Sequence, residues 1–557
     1  MKYINKFVCI LWVALAFACN KAFLEEKPLD FKSTSGSFST TNDFNASVYN
    51  LYNLVRFEFY DGEFNPYDYQ YGLDIVFDGV PGSAPRFSDY AVTTNPNQTY
   101  LTPHWTNFYK IISEANVILS RLPLSAVGEK DRPLFEAKAK FFRAFAYRSL
   151  AYLYGGVPLV LQETTEARTD YVRAGRKEVY KQVIEDLTFA ASILPGITAV
   201  KDGEVSNLAA QHLLAEVYLA DGQSGKAIEA ANAVINSADV SLMKERFGSQ
   251  SADPGDVYWD MFRPKNQNRA AGNKEGIWVI QYEVDMPGGS LSSNSRNASY
   301  SAERQFAPLT RDFELPNKVR PFLWPVSDYT GGRGVAYAIP MDYFVNKIWE
   351  SDFDNDIRNS NYNFVRIFTY NDPSKPEYYG KTISTQNPPP GVTVMTRLFF
   401  AYQSKVTTPG KHPDALFANK AKLILNSNAG GTYTDQYMIR LAETYLLRAE
   451  AYLGEGNLPA AAADINEVRS RSNAKPITAS KVTLDYILDE RLREFGVEEK
   501  RRLTLGRLGV IYNRTVNIAK NPLVNNIKPG THELWPIPQS EIERNKDAKL
   551  EQNPGYY

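Results

Sequence analysis

Two stretches of this chain, far apart in sequence, repeat one pattern of small and aromatic residues. Ala215-Glu216-Val217-Tyr218-Leu219-Ala220-Asp221-Gly222 precedes Lys226-Ala227-Ile228 and runs on to Val234. Ala449-Glu450-Ala451-Tyr452-Leu453-Gly454-Glu455-Gly456 precedes Ala460-Ala461-Ala462 and runs on to Val468. Laid over each other, they share Ala, Glu, Tyr, Leu, Gly, Ala, Asn and Val at the same offsets. The physics of that pattern is a helical hairpin. Alanine lets two helices approach closely, tyrosine fills the groove between them, and glycine ends the first helix at a tight turn. This is the tetratricopeptide-type signature, in which each hairpin must stack on a neighbour to bury its apolar face. The expected fold is therefore mainly α, a scaffold of tetratricopeptide-like hairpins.

Other segments carry helical spacing. Phe44 to Phe57, Trp105 to Leu122, Arg132 to Tyr154 and Arg176 to Leu194 each place apolar residues three and four apart. Gly155-Gly156 with Pro158 stops the third, and Pro195-Gly196 stops the fourth. Leu484 to Leu508 reads as one more charged helical stretch. Between the repeats, residues 237–433 lose the helical period and form a long, irregular, loop-rich insertion rich in Pro, Gly, Asn and Ser. One strand is expected there, Ile277 to Val284, with Trp278, Ile280, Tyr282 and Val284 on one face. A structureless segment of that length inside a compact chain is usually functional. The division that follows is residues 42–236 and 434–557 as helical parts flanking the insertion, the latter including an extended closing segment.

The N-terminus has its own logic. Lys2 and Lys6 precede an uncharged apolar run from Phe7 to Ala18, and Cys19 follows directly. Such a run is short for a bilayer span and fits a signal peptide, residues 1–18. A cysteine after a small residue allows acylation of its thiol, with residues 19–41 as a polar tether to the folded body. Cleavage after Ala18 without lipid is the alternative. Cys9 and Cys19 are the only cysteines, so the mature chain holds no disulfide and depends on its core. Net charge is −1, which argues against a nucleic-acid partner. The four histidines lie far apart without metal-ligand spacing, and no cofactor motif is present. Asp352, Asp354 and Asp356 alternate as in a calcium loop, but the glycine and distal glutamate such a loop needs are missing.

In this arrangement the chain resembles the SusD/RagB family of surface lipoproteins. The resemblance rests on Phe23-Leu24-Glu25-Glu26-Lys27-Pro28, on Trp105 through Tyr109 with Ile112 and Ala115-Asn116, and on Arg143-Ala144 followed by Leu153-Tyr154-Gly155-Gly156-Val157-Pro158. It continues in Glu490-Arg491, Glu494-Phe495, Glu498, Arg501, Leu505 and Arg507. It closes in Trp535-Pro536-Ile537-Pro538 and Gln552-Asn553-Pro554-Gly555-Tyr556. Glu499 and Thr504 depart from the usual residues of the Glu-Arg helix. The resemblance implies an outer-membrane, lipid-anchored protein at the cell surface. It would bind an oligosaccharide, or a peptide, and pass it to a SusC-like TonB-dependent transporter without catalysis. Arg143, Arg491 and Arg507 are expected to hold helices together.

A sugar site needs flat aromatic faces beside hydrogen-bonding groups, and two segments outside the helices supply that mix. The first offers Tyr69, Tyr71, Asp74 and Arg86; the second offers Tyr300, Trp324, Tyr329, Arg333 and Tyr337. The family resemblance puts the ligand where the early loop meets the insertion. Trp105 and Trp278 sit on apolar faces and are assigned to the core. Two competing functions stay open: a glycoside hydrolase using a carboxylate pair such as Asp74 and Asp78, and a repeat scaffold that binds only protein. Gly331-Gly332-Arg333-Gly334 follows no strand–helix pattern and is not read as a phosphate loop.

Overall fold

The computed structural model describes residues 38–60, 65–80, 88–282, 284–285 and 300–556. The leader, Cys19, Arg86 and most of the tether lie outside the described residues. Ten helices of eight or more residues are found among the described ones. They are α1 (Thr41–Tyr60), α2 (Thr102–Arg121), α3 (Arg132–Tyr154), α4 (Arg176–Ile193), α5 (Asn207–Ala220) and α6 (Ser224–Ile235). After the insertion come α7 (Leu441–Gly454), α8 (Leu458–Arg471), α9 (Leu484–Glu494) and α10 (Arg501–Leu508).

The two repeats are α5–α6 and α7–α8, and each hairpin turns on a glycine in the left-handed region, Gly222 at φ 75° and Gly456 at φ 72°. A side chain would strain the backbone there. Despite the insertion, the hairpins sit side by side, with α6 packed on α7. His212 Nδ1 lies 2.8 Å from Thr444 Oγ1, and Arg448 donates to Asn232 Oδ1 at 2.6 Å across the seam. Ala215 and Ala449 are fully buried, as close helix approach requires. Helices α2 to α5 continue the layer, each against the next. Bidentate pairs fix it: Arg143 to Asp186 at 2.8 Å for both bonds, and Arg507 to Glu450 at 2.6 Å for both.

The insertion leaves and re-enters through one antiparallel ribbon. Strand β1 of that ribbon (Gly276–Ile280) pairs with β2 (Gln436–Arg440), which leads directly into α7. The strand is shorter than the sequence suggests and is buried on both faces rather than one. Trp278 points at Phe141, Phe142 and Phe145 of α3, while Val279 packs with Tyr258, Met261, Phe262 and Tyr437. The ladder has ended before Tyr282, whose backbone N–H instead donates to the Asp435 side chain at 2.6 Å. The rest of the insertion is irregular chain with short two-stranded ribbons, and its aromatics join the same hydrophobic core as the helices.

The charged stretch Leu484 to Leu508 is not one helix. It breaks at Gly496 (φ 51°), where a Cβ would lie 2.1 Å from the Gln403 amide oxygen. That oxygen accepts the Val497 N–H at 3.0 Å. Ahead of the break, Glu490 and Glu494 of α9 face five buried arginines, from the insertion, β2, α8 and α9 itself. Arg358 of the insertion reaches Glu490 at 2.7 Å and Glu494 at 3.0 Å. Arg440 of β2 reaches Glu494 and Glu275, each at 2.8 Å. Arg471 of α8 pairs with Glu275 at 2.9 Å and also with Glu494. Arg469 and Arg493 reach Glu490 at 3.0 and 2.8 Å. Burial alone would raise the carboxyl pKa values, but the arginines outweigh it and hold Glu490 and Glu494 far below the ordinary range.

The alternating aspartates do not converge. Asp356 pairs with Arg358 at 2.6 Å, Asp352 accepts from the Lys475 backbone, and Asp354 is exposed. No group of three or more carboxylate, histidine or cysteine side chains suited to a metal occurs among the described residues. No described helix is long and apolar enough to cross a membrane.

Candidate functional site

The early segment does not form a surface platform. Tyr69 is fully buried; its hydroxyl donates to Glu58 Oε1 at 2.6 Å and its ring lies on Phe59. Tyr71 is buried and bonded to the Gln305 amide. Asp74 is fully buried between Arg501, at 2.9 and 2.6 Å, and Arg514, at 3.0 Å. Burial would raise its pKa, yet the two guanidiniums outweigh that and hold the carboxyl at about 2. Tyr300 is buried as well, stacked on Tyr67 at 5.4 Å and edge-on to Tyr60 at 5.3 Å. Tyr69, Tyr71 and Asp74 place their polar tips on buried partners, which offsets the cost of burying them, and Tyr300 buries its ring among Tyr60 and Tyr67. Trp105 and Trp278 are core residues, 4% and 1% exposed. Asp74, locked between two arginines, cannot serve as half of a hydrolytic pair.

The second segment does reach the surface. Residues Arg333 to Tyr337 form a spine on which several side chains converge. Trp324 is half-buried, and its indole N–H donates to the Gly334 carbonyl at 3.1 Å. The guanidiniums of Arg311 and Arg333 lie 5.3 and 5.6 Å from its ring centroid, within cation–π range. Arg397 donates Nε–H to the Val335 carbonyl at 2.8 Å. Arg304 accepts Val335 N–H on its own carbonyl at 3.1 Å, and its guanidinium meets the half-buried Tyr337 hydroxyl at 3.2 Å.

The early chain joins this ledge by a short antiparallel pairing, Val76–Asp78 with Ala338–Pro340. Gly79 N–H then donates to the Tyr337 carbonyl at 2.8 Å. The pairing places Asp78 beside Tyr337, where burial pushes its carboxyl up to about 6 against the opposing pull of Val80 N–H and Arg397. The glycine-rich stretch serves this close packing. A Cβ on Gly334 would lie 2.5 Å from the Pro308 carbonyl oxygen, and one on Gly332 would lie 2.5 Å from the Glu303 carboxyl.

Tyr329 belongs to a different neighbourhood. Its hydroxyl accepts the Trp259 indole N–H at 3.0 Å, and its backbone carbonyl accepts from the Tyr402 hydroxyl at 3.0 Å. Arg263 covers the Trp259 ring at 4.6 Å from the centroid. The ledge therefore unites Trp324, Arg333 and Tyr337 of the expected set, with Tyr329 in a separate group and Arg86 outside the described residues. Arg304, Arg311 and Arg397 escaped sequence reasoning. Arg304 sits on a short helix, Ala302–Phe306, Arg311 on a 3-10 turn, Thr310–Asp312, and Arg397 on irregular chain.

A larger concavity, of about 480 Å³, runs along α2 and is lined by Trp105, Tyr109, Lys110, Tyr171 and Arg544. It is the weaker candidate. The Trp105 ring is covered by Tyr109 and Tyr154, and Arg168 and Arg544 on its rim are paired with Asp170 and Glu541.

Comparison with known proteins resolves the family. The SusD family profile matches residues 274–556, and a second profile, described as starch-binding associating with outer membrane, matches residues 23–219. The chain belongs to the SusD family. Among SusD relatives, SusD-like protein P2 of Formosa agariphila is 25% identical over 548 residues, 96% of each chain. The starch-binding protein SusD of Bacteroides thetaiotaomicron is 38% identical over 125 residues, 22% of each chain. In structure, a laminarin-binding SusD-like protein is similar with a TM-score of 0.67 at 22% identity, covering 93% of this chain and 100% of that one. Surface glycan-binding protein A from Bacteroides thetaiotaomicron, solved with laminarihexaose, gives 0.65 at 19% identity, covering 92% and 100%. The SusD scaffold is thus the fold of this chain, tetratricopeptide-like and mainly helical.

Proposed function

We propose that this SusD-family chain is a cell-surface nutrient-binding lipoprotein that captures an oligosaccharide and hands it, chemically unchanged, to a TonB-dependent outer-membrane transporter. The observation that carries the reading is Trp324. It is half-buried where Trp259, Trp278 and Trp349 of the insertion are buried, and its indole N–H is fixed by the Gly334 carbonyl, with arginines beside the ring. A flat apolar face next to convergent donors is what a sugar ring, with apolar C–H faces and hydroxyl edges, requires. Similar proteins named for binding starch or laminarin support the same ligand class.

The test is Trp324→Ala, measured by calorimetry on the polysaccharide that the wild-type protein selects from a glycan array. Loss of the ring should weaken binding by about 1–3 kcal/mol, by analogy with stacking on other planar ligands. That is about 5- to 150-fold in Kd. The bound glycan should be recovered intact. Binding unchanged by the substitution would move the platform away from the ledge, and reproducible cleavage would favour an enzyme.

The anchor is tested separately. In the proposed scheme Cys19 carries the acyl chains, and two chains anchor stably where one does so marginally. Cys19→Ala should leave the protein soluble or unprocessed in fractionated cells. Normal outer-membrane levels of the variant would mean that something other than lipid holds it there.

A further inference from the structure

The chemistry of the ledge narrows the ligand. Arg311 and the buried Arg333 lie against Trp324, the buried Arg304 lies against Tyr337, and Arg397 donates to the Val335 carbonyl between Gly334 and Tyr337. Guanidinium is a donor with no acceptor. A neutral sugar hydroxyl both donates and accepts, so a site for neutral glycans gains from carboxylates and amide oxygens placed to receive hydroxyl protons. Here most of the carboxylate oxygens are already engaged within the protein. Glu303 is 1% exposed and receives Arg333 N–H at 2.7 Å, His412 Nε2 at 2.8 Å and the Thr407 hydroxyl. Asp78 is 2% exposed; its Oδ1 accepts Val80 N–H at 2.7 Å, and its Oδ2 is buried without a hydrogen-bond partner, out of a ligand's reach. Asp312 is held by Arg311 through bonds of 3.1 and 2.9 Å.

That last pair is the exchangeable one. The Arg311 and Asp312 side chains are 54% and 38% exposed. Exposed ion pairs contribute little to stability, so Arg311 is released to another anion at small cost. Arg397 is half-buried and donates to the Val335 backbone carbonyl, and Asp78 and Asp312 act on it through space. Fixed guanidiniums beside an aromatic face suit a ring that carries an acceptor-only anionic group, which takes charge-assisted bonds from the arginines while its apolar face stacks on Trp324.

We propose that the Trp324 ledge selects an anionic saccharide, one bearing uronate carboxylates or sulfate esters, with Arg311 and Arg397 as the groups that recognise the charge. This rests on the glycan-binding function proposed above.

The experiment is calorimetry and affinity electrophoresis of the full-length protein in detergent. The probes are polygalacturonate for carboxylate, chondroitin sulfate for sulfate ester together with carboxylate, carrageenan for sulfate alone, and laminarin as a neutral glucan. Tighter binding of at least one anionic polymer than of laminarin is expected, with affinity falling as salt rises from 20 to about 300 mM. Preference for carrageenan or for polygalacturonate assigns the anionic group. Arg397→Gln should weaken the preferred anionic polymer about tenfold, the worth of one hydrogen bond to a charged group, and flatten the salt dependence. Arg397→Lys should recover part of both. Laminarin bound as tightly as every anionic polymer, with no salt dependence, overturns the anionic assignment and leaves the glycan reading standing. No binding to any of the four, with none found on a glycan array, overturns both. Should a variant fail to fold, the polymer preference and salt dependence of the wild-type protein decide the matter alone.

Discussion

Glu494→Ala is expected to lower the stability of the folded chain by about 3–5 kcal/mol, the cost of removing one partner from a buried ion pair. Glu494 is fully buried and shared by Arg358, Arg440 and Arg471, which come from the insertion, from β2 and from α8. Without it, three guanidiniums face one another with Glu275, Asp356, Glu490 and Glu498 as their remaining carboxylates. Desolvated charge left unpaired is the reason for the size of the effect. A mixed outcome is informative too. Glu494→Gln keeps the shape and some hydrogen bonds but removes the charge, so it should fall between wild type and alanine. The measurement is the urea midpoint of each variant, read with the slope to confirm that stability rather than compactness has changed. An alanine variant within about 1 kcal/mol of wild type would show that the network is replaceable.

The second large effect is a pH dependence. His104 on α2 is 1% exposed, with Nδ1 2.5 Å from Glu58 Oε1 and Nε2 3.3 Å from Asp68. Burial alone would drive its proton off, but the two carboxylates outweigh burial and raise its pKa from 6.5 to about 9. A histidine whose folded pKa lies above its unfolded one stabilises most below the unfolded value. That stability is therefore full below pH 6.5 and is lost as pH rises through 9. The expected span is about 3 kcal/mol. Comparing wild type with His104→Gln should show a stability gap that is wide at pH 6 and narrows by pH 9.5. A gap independent of pH would mean that His104 is neutral throughout and that a shared proton sits elsewhere in the cluster.

Much of the helical frame was legible because periodicity is local. The step of α3 from Arg132 to Tyr154 and its stop at Gly155 follow from residues within a few positions of one another. So do the glycine turns at Gly222 and Gly456, where a small residue and a positive φ coincide. Arg143 and Arg507 could be assigned to helix–helix bonding, since arginine on an apolar helix face needs a carboxylate opposite it. The unbroken stretch from Leu484 to Leu508 failed because the glycine that interrupts it answers to Gln403, a residue of the insertion.

The sequence by itself determined most of the helices, the hairpin repeats and the presence of a long aromatic insertion. Tertiary structure alone decided which aromatics are core and which are surface. Tyr69, Tyr71 and Tyr300 look like Trp324 and Tyr337 in composition, but Glu58, Gln305 and Tyr67 take up the former. Tertiary structure also brought Asp78 against Tyr337 and gathered Arg304, Arg311 and Arg397 around one spine. The physical reason is range. Helical periodicity is written within a few residues, whereas the partner that lets a polar ring be buried, or an arginine be aimed, stands hundreds of residues away and carries no local mark.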